Sequence, residues 1–131
     1  MLASLYIPIS HEEESIAFII STLSKMGNIN HHYLDIDENY LIFIDGYKEC
    51  IVSINHILEY KIEPMQFPFM VDLKDNNGED LTILIAYLFC HYFGYIVYND
   101  CGVLGKQENY TSLELLDLIQ SSNYYDLIQQ M

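Results

Sequence analysis

Hydrophobic and polar positions change period several times along the chain, and each change marks an element. From Phe67 the sequence alternates, with Phe67, Phe69, Val71 and Leu73 on one face, the period-two signature of a half-buried strand over Phe67–Lys74. The run ends in Asp75-Asn76-Asn77-Gly78, where Asn and Gly tolerate left-handed backbone and Asn can cap a helix. Leu81 to Phe93 is then apolar at almost every position, the pattern of a helix buried all round, between a sheet and another element. Its apolar run is about 13 residues, well short of the roughly 20 that span a bilayer. Glu79 and Asp80 open the helix at the positive end of its dipole, and Gly94 follows as a left-handed terminator. Tyr95 to Tyr98 reads as a short strand ended by Asn99-Asp100.

The same reading extends to both ends. Leu2 to Ile9 is a strand stopped by Pro8 and Ser10, and Ser10 with Glu13 makes a capping box for a first helix. Ile16, Ile19, Ile20, Leu23 and Met26 recur at helical spacing, and Gly27-Asn28 ends that helix. Strands are expected over His31–Asp37 and Tyr40–Asp45, the second closing in an Asp45-Gly46 hairpin. A long strand follows, with Val52, Ile54, His56, Leu58, Tyr60 and Ile62 on its buried face and a turn at Glu63-Pro64-Met65-Gln66. Cys101 to Gly105 reads as a turn and short edge segment. Thr111 and Glu114 form a capping box for a last helix whose inner face is Leu113, Leu116 and Ile119 or Gln120, flanked by Leu115 and Leu118. Ser121-Ser122-Asn123 breaks it, and one or two further helical turns follow. These elements predict a single α+β domain over residues 1–131: an antiparallel sheet of about five to six strands, a central apolar helix packed on it, and additional N- and C-terminal helices.

Charge narrows the function classes. The chain of 131 residues carries 19 acids against 5 lysines and no arginine, a formal charge of −14. Nucleic acid is excluded as a partner, because phosphate neutralisation needs clustered Lys or Arg, and an anionic membrane surface is disfavoured for the same reason. The balance favours solubility and fast, salt-sensitive association with a basic protein. Three cysteines, Cys50, Cys90 and Cys101, form no CxxC and leave one unpaired in any disulfide scheme. The first residues lack the basic region and long apolar run of a signal peptide, so a cytoplasmic protein is expected.

Candidate chemistry is sparse. His31-His32 with Asp35 and Asp37 has the composition of a metal site, but neighbours on a strand point to opposite faces. Cys90-His91 has the composition of a nucleophile and base, but adjacent helical residues lie about 100° apart. No P-loop, GxGxxG, GxSxG, HExxH or zinc-deaminase pattern occurs, and neither a catalytic residue, a metal nor a cofactor is expected. Acids cluster instead at Asp72, Asp75, Glu79 and Asp80, at Glu12–Glu14, and at Asp35, Asp37 and Glu38. Tyrosines beside acids, among them Tyr33, Tyr40, Tyr47 and Tyr98 (the last near Asp100), suit a protein-binding surface. Asp35, Asp37, Glu38, Asp72, Asp75, Glu79, Asp80, Tyr98 and Asp100 are therefore the candidate partner-binding residues.

The segment Phe67–Gly105, with PFMVDLK, the Asn-Gly turn, the apolar helix and GYIVYNDCGVLG, resembles immunity proteins of bacterial polymorphic toxin systems, those of contact-dependent growth inhibition above all. It covers less than a third of the chain, and no functional residue transfers by position. The resemblance implies a cytoplasmic, non-catalytic protein that binds one cognate toxin C-terminal domain, often a basic nuclease, and blocks it. A generic acidic interaction or self-associating domain is the alternative, and a small hydrolytic enzyme the third reading.

Overall fold

The chain order is β1 (Ala3–Ile9), α1 (Glu12–Ser24), β2 (Asn30–Tyr33), β3 (Tyr40–Asp45), β4 (Lys48–His56), β5 (Phe69–Asn76), α2 (Glu79–Phe93), β6 (Val97–Asn99), β7 (Asn109–Tyr110), α3 (Ser112–Leu118) and α4 (Asn123–Gln129). The computed structural model describes residues 3–26, 29–34, 40–56, 67–99, 104–105 and 107–130. The strands form one antiparallel sheet in the order β2-β3-β4-β5-β1-β6-β7, so the fold is α+β with seven strands rather than five or six. The additional strand, β7, is two residues long and leaves no periodic trace; Asn109 and Tyr110 pair with Tyr98 and Val97. Cys101 to Val103, Gly27-Asn28, residues 35–39 and 57–66, and the side chain of His56 lie outside the described residues.

β1 is central rather than peripheral. It pairs along its whole length with β5 and at Leu5 and Tyr6 with β6. β5 and β6 both run antiparallel to β1, so the strands joined by α2 are parallel to each other with β1 between them. Pro8 does not stop β1, which continues through it to Ile9 opposite Phe69. β6 reaches only Leu5 and Tyr6, so beyond them one flank of β1 has no described partner strand, the setting in which a sheet tolerates the missing N–H of proline.

Alternation sorts the sheet into two faces. Leu5, Ile7 and Ile9 of β1, Val71 and Leu73 of β5, Cys50 and Val52 of β4, and Leu41 and Phe43 of β3 join the core under the helices. Tyr6, Asp72, Ser53 and Tyr40 form a cross-strand row on the opposite face. α2 is the centre of the core: every residue from Leu81 to Cys90 is buried, against the sheet on one side and α1, α3 and α4 on the other. Gly94 ends it in the left-handed region at φ 72°, its N–H bonded to the Cys90 carbonyl.

Several local expectations are corrected. The N-cap of α1 is His11 without a side-chain bond; Ser10 and Glu13 form no capping box. Ser10 is drawn away by the Tyr95 hydroxyl, which lies 3.0 Å from its Oγ and accepts its N–H at 3.2 Å. The hairpin turn is Gly46-Tyr47 between the paired Asp45 and Lys48, with glycine at the left-handed first position. β5 continues to Asn76, and Asp75 closes the following turn by accepting the Gly78 N–H at 2.8 Å. The Thr111–Glu114 capping box forms, but the inner face of α3 is Leu115, with Ile119 just beyond it, while Leu113 is 73% exposed. The four leucines of this seven-residue helix offer two stripes, and contact with α2 cuts across them, burying Leu115 and half-burying Leu116 while Leu113 and Leu118 stay exposed.

Candidate functional site

The candidate partner-binding residues separate into two places. Asp72 and Tyr98 lie on the helix-free face of the sheet, two strands apart, each opposite Tyr6. Asp75, Glu79 and Asp80 gather at the β5–α2 turn, beside the β3–β4 hairpin. Asp35, Asp37, Glu38 and Asp100 lie outside the described residues.

At the β5–α2 turn two of the three carboxylates serve the fold. Asp75 holds the turn, as above. Asp80 accepts from its neighbour's backbone, Leu81 N, at 3.0 Å, from Lys48 Nζ at 2.8 Å and from Ser122 Oγ at 3.1 Å. It thereby ties the hairpin, the start of α2 and the α3–α4 junction together. The Tyr124 hydroxyl donates to Asp45, and Lys48 Nζ lies 4.8 Å from the Tyr124 ring centroid. The hydrogen bond to Asp80 holds the Lys48 ammonium above its ordinary range. Burial, and then the bond to Asp45, push the Tyr124 phenol well up. Only Glu79 of this trio is fully at the surface, and Tyr47, which lines the same cavity, is 73% exposed. Nothing in the local sequence announces this cluster, whose members come from three separate segments.

A second arrangement, not anticipated as a site, lies under the start of α1. The expected stripe of that helix divides: Ile19, Leu23 and Met26 are buried, whereas Ile16 and Ile20 are half-buried. They face the row formed by Tyr33, Leu41 and Val52 across β2, β3 and β4. Between helix and sheet runs a groove of about 450 Å³. Leu41 and Val52 close its bottom, Ile16, Ile20, Ala17 and Ile54 form its walls, and Glu12, Glu13 and Tyr33 stand at its rim. The sequence held one sign of it: Glu12, Ile16 and Ile20 are spaced by four, a line of side chains distinct from Ile19 and Leu23.

Cys50 and Cys90 are buried free thiols, each pushed up to about 12, by desolvation in both cases. A thiol held protonated is a poor nucleophile. His91, beside Cys90, is exposed and stacks on Tyr87 with ring centroids 5.2 Å apart. His31 packs toward Phe43, with centroids 6.2 Å apart, and the strand alternation turns His32 to the other face. Among the described residues no three potential ligands gather to hold a metal ion, and no helix is long and apolar enough to cross a membrane. Compared with known proteins, the chain matches no family model, no curated protein and no solved structure.

Proposed function

We propose that this chain is a cytoplasmic, non-catalytic immunity protein that binds and neutralises a cognate toxin domain of basic character, a nuclease among the candidates. The observation that carries the reading is uncompensated negative charge. Lys48 is committed to Asp80 at 2.8 Å, and Lys74 lies 4.0 Å from Asp72. Glu13, Glu14, Glu79, Glu108, Asp117 and Asp126 meanwhile face solvent. Such a surface attracts a basic protein over a distance and raises its association rate, and exposed tyrosines such as Tyr33, Tyr40 and Tyr47 supply contact area once it arrives.

A second reading, self-association, draws on β2, which ends one side of the described sheet and whose four residues are all exposed. Such an edge can pair with a second copy of itself.

The test is co-expression with the protein fragment encoded at the 3′ end of the adjacent upstream reading frame. A stoichiometric complex, together with growth rescue of cells expressing that fragment, is the expected result. A monodisperse dimer that ignores the fragment would move the choice to self-association. Failure of both binding and rescue would remove the inhibitor reading.

A further inference from the structure

We propose that the groove between α1 and the β2–β4 side of the sheet seats an apolar side chain carried beside a lysine or arginine on the partner protein. The inference rests on the reading of this chain as a binder of a basic protein and goes further by choosing the face. Two other cavities of similar size on the described surface differ from the groove in their chemistry. The one between the hairpin, α2 and the α3–α4 junction carries the exposed Glu79, but its lining is largely polar, with Asn77, Ser121 and Ser122. Its Lys48 and Asp80 are already satisfied by each other and by Ser122, so it offers little apolar surface to an anchor. The one between α1 and α4 carries Lys25, which repels a cationic partner. The groove at the start of α1 has an apolar bottom and walls, and its charged lining residues are Glu12 and Glu13 alone among those described.

Charge complementarity fixes the occupant. An apolar anchor entering between Ile16, Ile20 and Ile54 leaves water, and a neighbouring ammonium or guanidinium then lies against two carboxylates at the rim. An anionic or purely apolar occupant would leave those carboxylates repelled or unmatched. Tyr33 stands on the edge strand β2 and lines the same groove, so an aromatic side chain and a strand edge flank the entering segment. Glu12 and Glu13 also sit where the helix dipole favours acids, so they cost little to keep beside an apolar cavity.

The direct test is an amide-resolved NMR titration with three short peptides: alternating Leu/Lys, Leu/Glu and Ser/Lys. The Leu/Lys peptide alone is expected to shift the amides of Ile16, Ile20, Leu41 and Ile54. Ala17 lines the groove from an exposed helical position, so Ala17→Trp fills the space without disturbing the core and is expected to weaken binding roughly tenfold or more. Glu13→Lys, also at an exposed position, is expected to weaken it further. Equal shifts with Ser/Lys, shifts confined to another face, or undiminished binding to Ala17→Trp would overturn the groove. The same variants tested against the toxin fragment separate the two ideas. A fragment that binds wild type and Ala17→Trp equally leaves the inhibitor reading standing and removes the groove. A groove that takes the Leu/Lys peptide while no fragment binds has the reverse meaning.

Discussion

Asp80 accepts hydrogen bonds from Lys48 and Ser122, groups distant in sequence, and its replacement tests how far the fold depends on them. Asp80→Asn takes from the partly buried ammonium its hydrogen-bonded counter-charge, leaving the weaker influence of Asp45. The expected loss is about 1–2 kcal/mol, modest because both side chains keep some solvent. Urea titration checks it, and the double variant with Lys48→Met is expected to cost less than the sum of the single changes. Alkali acts on a second group of residues. Cys50 and Cys90 are raised from 9.0 to about 12, so the folded chain holds protons that the unfolded chain releases. Their contribution is complete below pH 9 and is lost as pH rises toward 12; Tyr124, also raised, works in the same direction above its ordinary value of 10.0. Urea midpoints should therefore fall steeply across that window, and Cys90→Ala should flatten the fall. A midpoint independent of pH there would contradict the burial of these groups. Below it, neither thiol is expected to react with alkylating reagents until the chain unfolds, which peptide mapping by mass spectrometry would reveal.

Elements show which signals were legible in the sequence. α2 could be read almost to the residue, because an unbroken apolar run, first-turn acids and Gly94 all mark the same helix. The alternating faces of β4 and β5 were equally plain, since Val52, Val71 and Leu73 are buried as their period requires. Ser10 was misread because a capping motif is a local signal, whereas its partner Tyr95 is 85 residues away. The groove was missed for a related reason: it exists only where α1 meets β2–β4, although Ile16 and Ile20 marked one wall. Two glycines separate local from distant constraint. At Gly94, φ is 72° and a Cβ would meet nothing within 4 Å, so Gly94→Ala costs only backbone strain, about 1 kcal/mol. Gly78 is extended, at φ 176°, but its Cβ would stand 2.6 Å from Lys48 Cβ and 3.1 Å from Lys48 Cα. Gly78→Ala must push the hairpin away from α2 and is expected to cost about 1–3 kcal/mol. Thermal unfolding of the two variants would check the order, and Gly94→Ala proving the more damaging would contradict the close packing at Gly78.

For the whole molecule, charge sets the expected behaviour. A chain of net charge −14 folds against its own repulsion, so moderate salt should raise its melting temperature. The same charge should govern its meeting with a basic partner, because steering weakens as the Debye length shrinks from about 10 Å at 0.1 M salt toward about 3 Å at 1 M. The most direct measurement is the association rate constant, over that range of salt, with the fragment encoded at the 3′ end of the adjacent upstream reading frame, the partner proposed above. A fall of about tenfold or more, with a dissociation rate that changes far less, is the expected result. An association rate indifferent to salt would contradict binding led by the acidic surface.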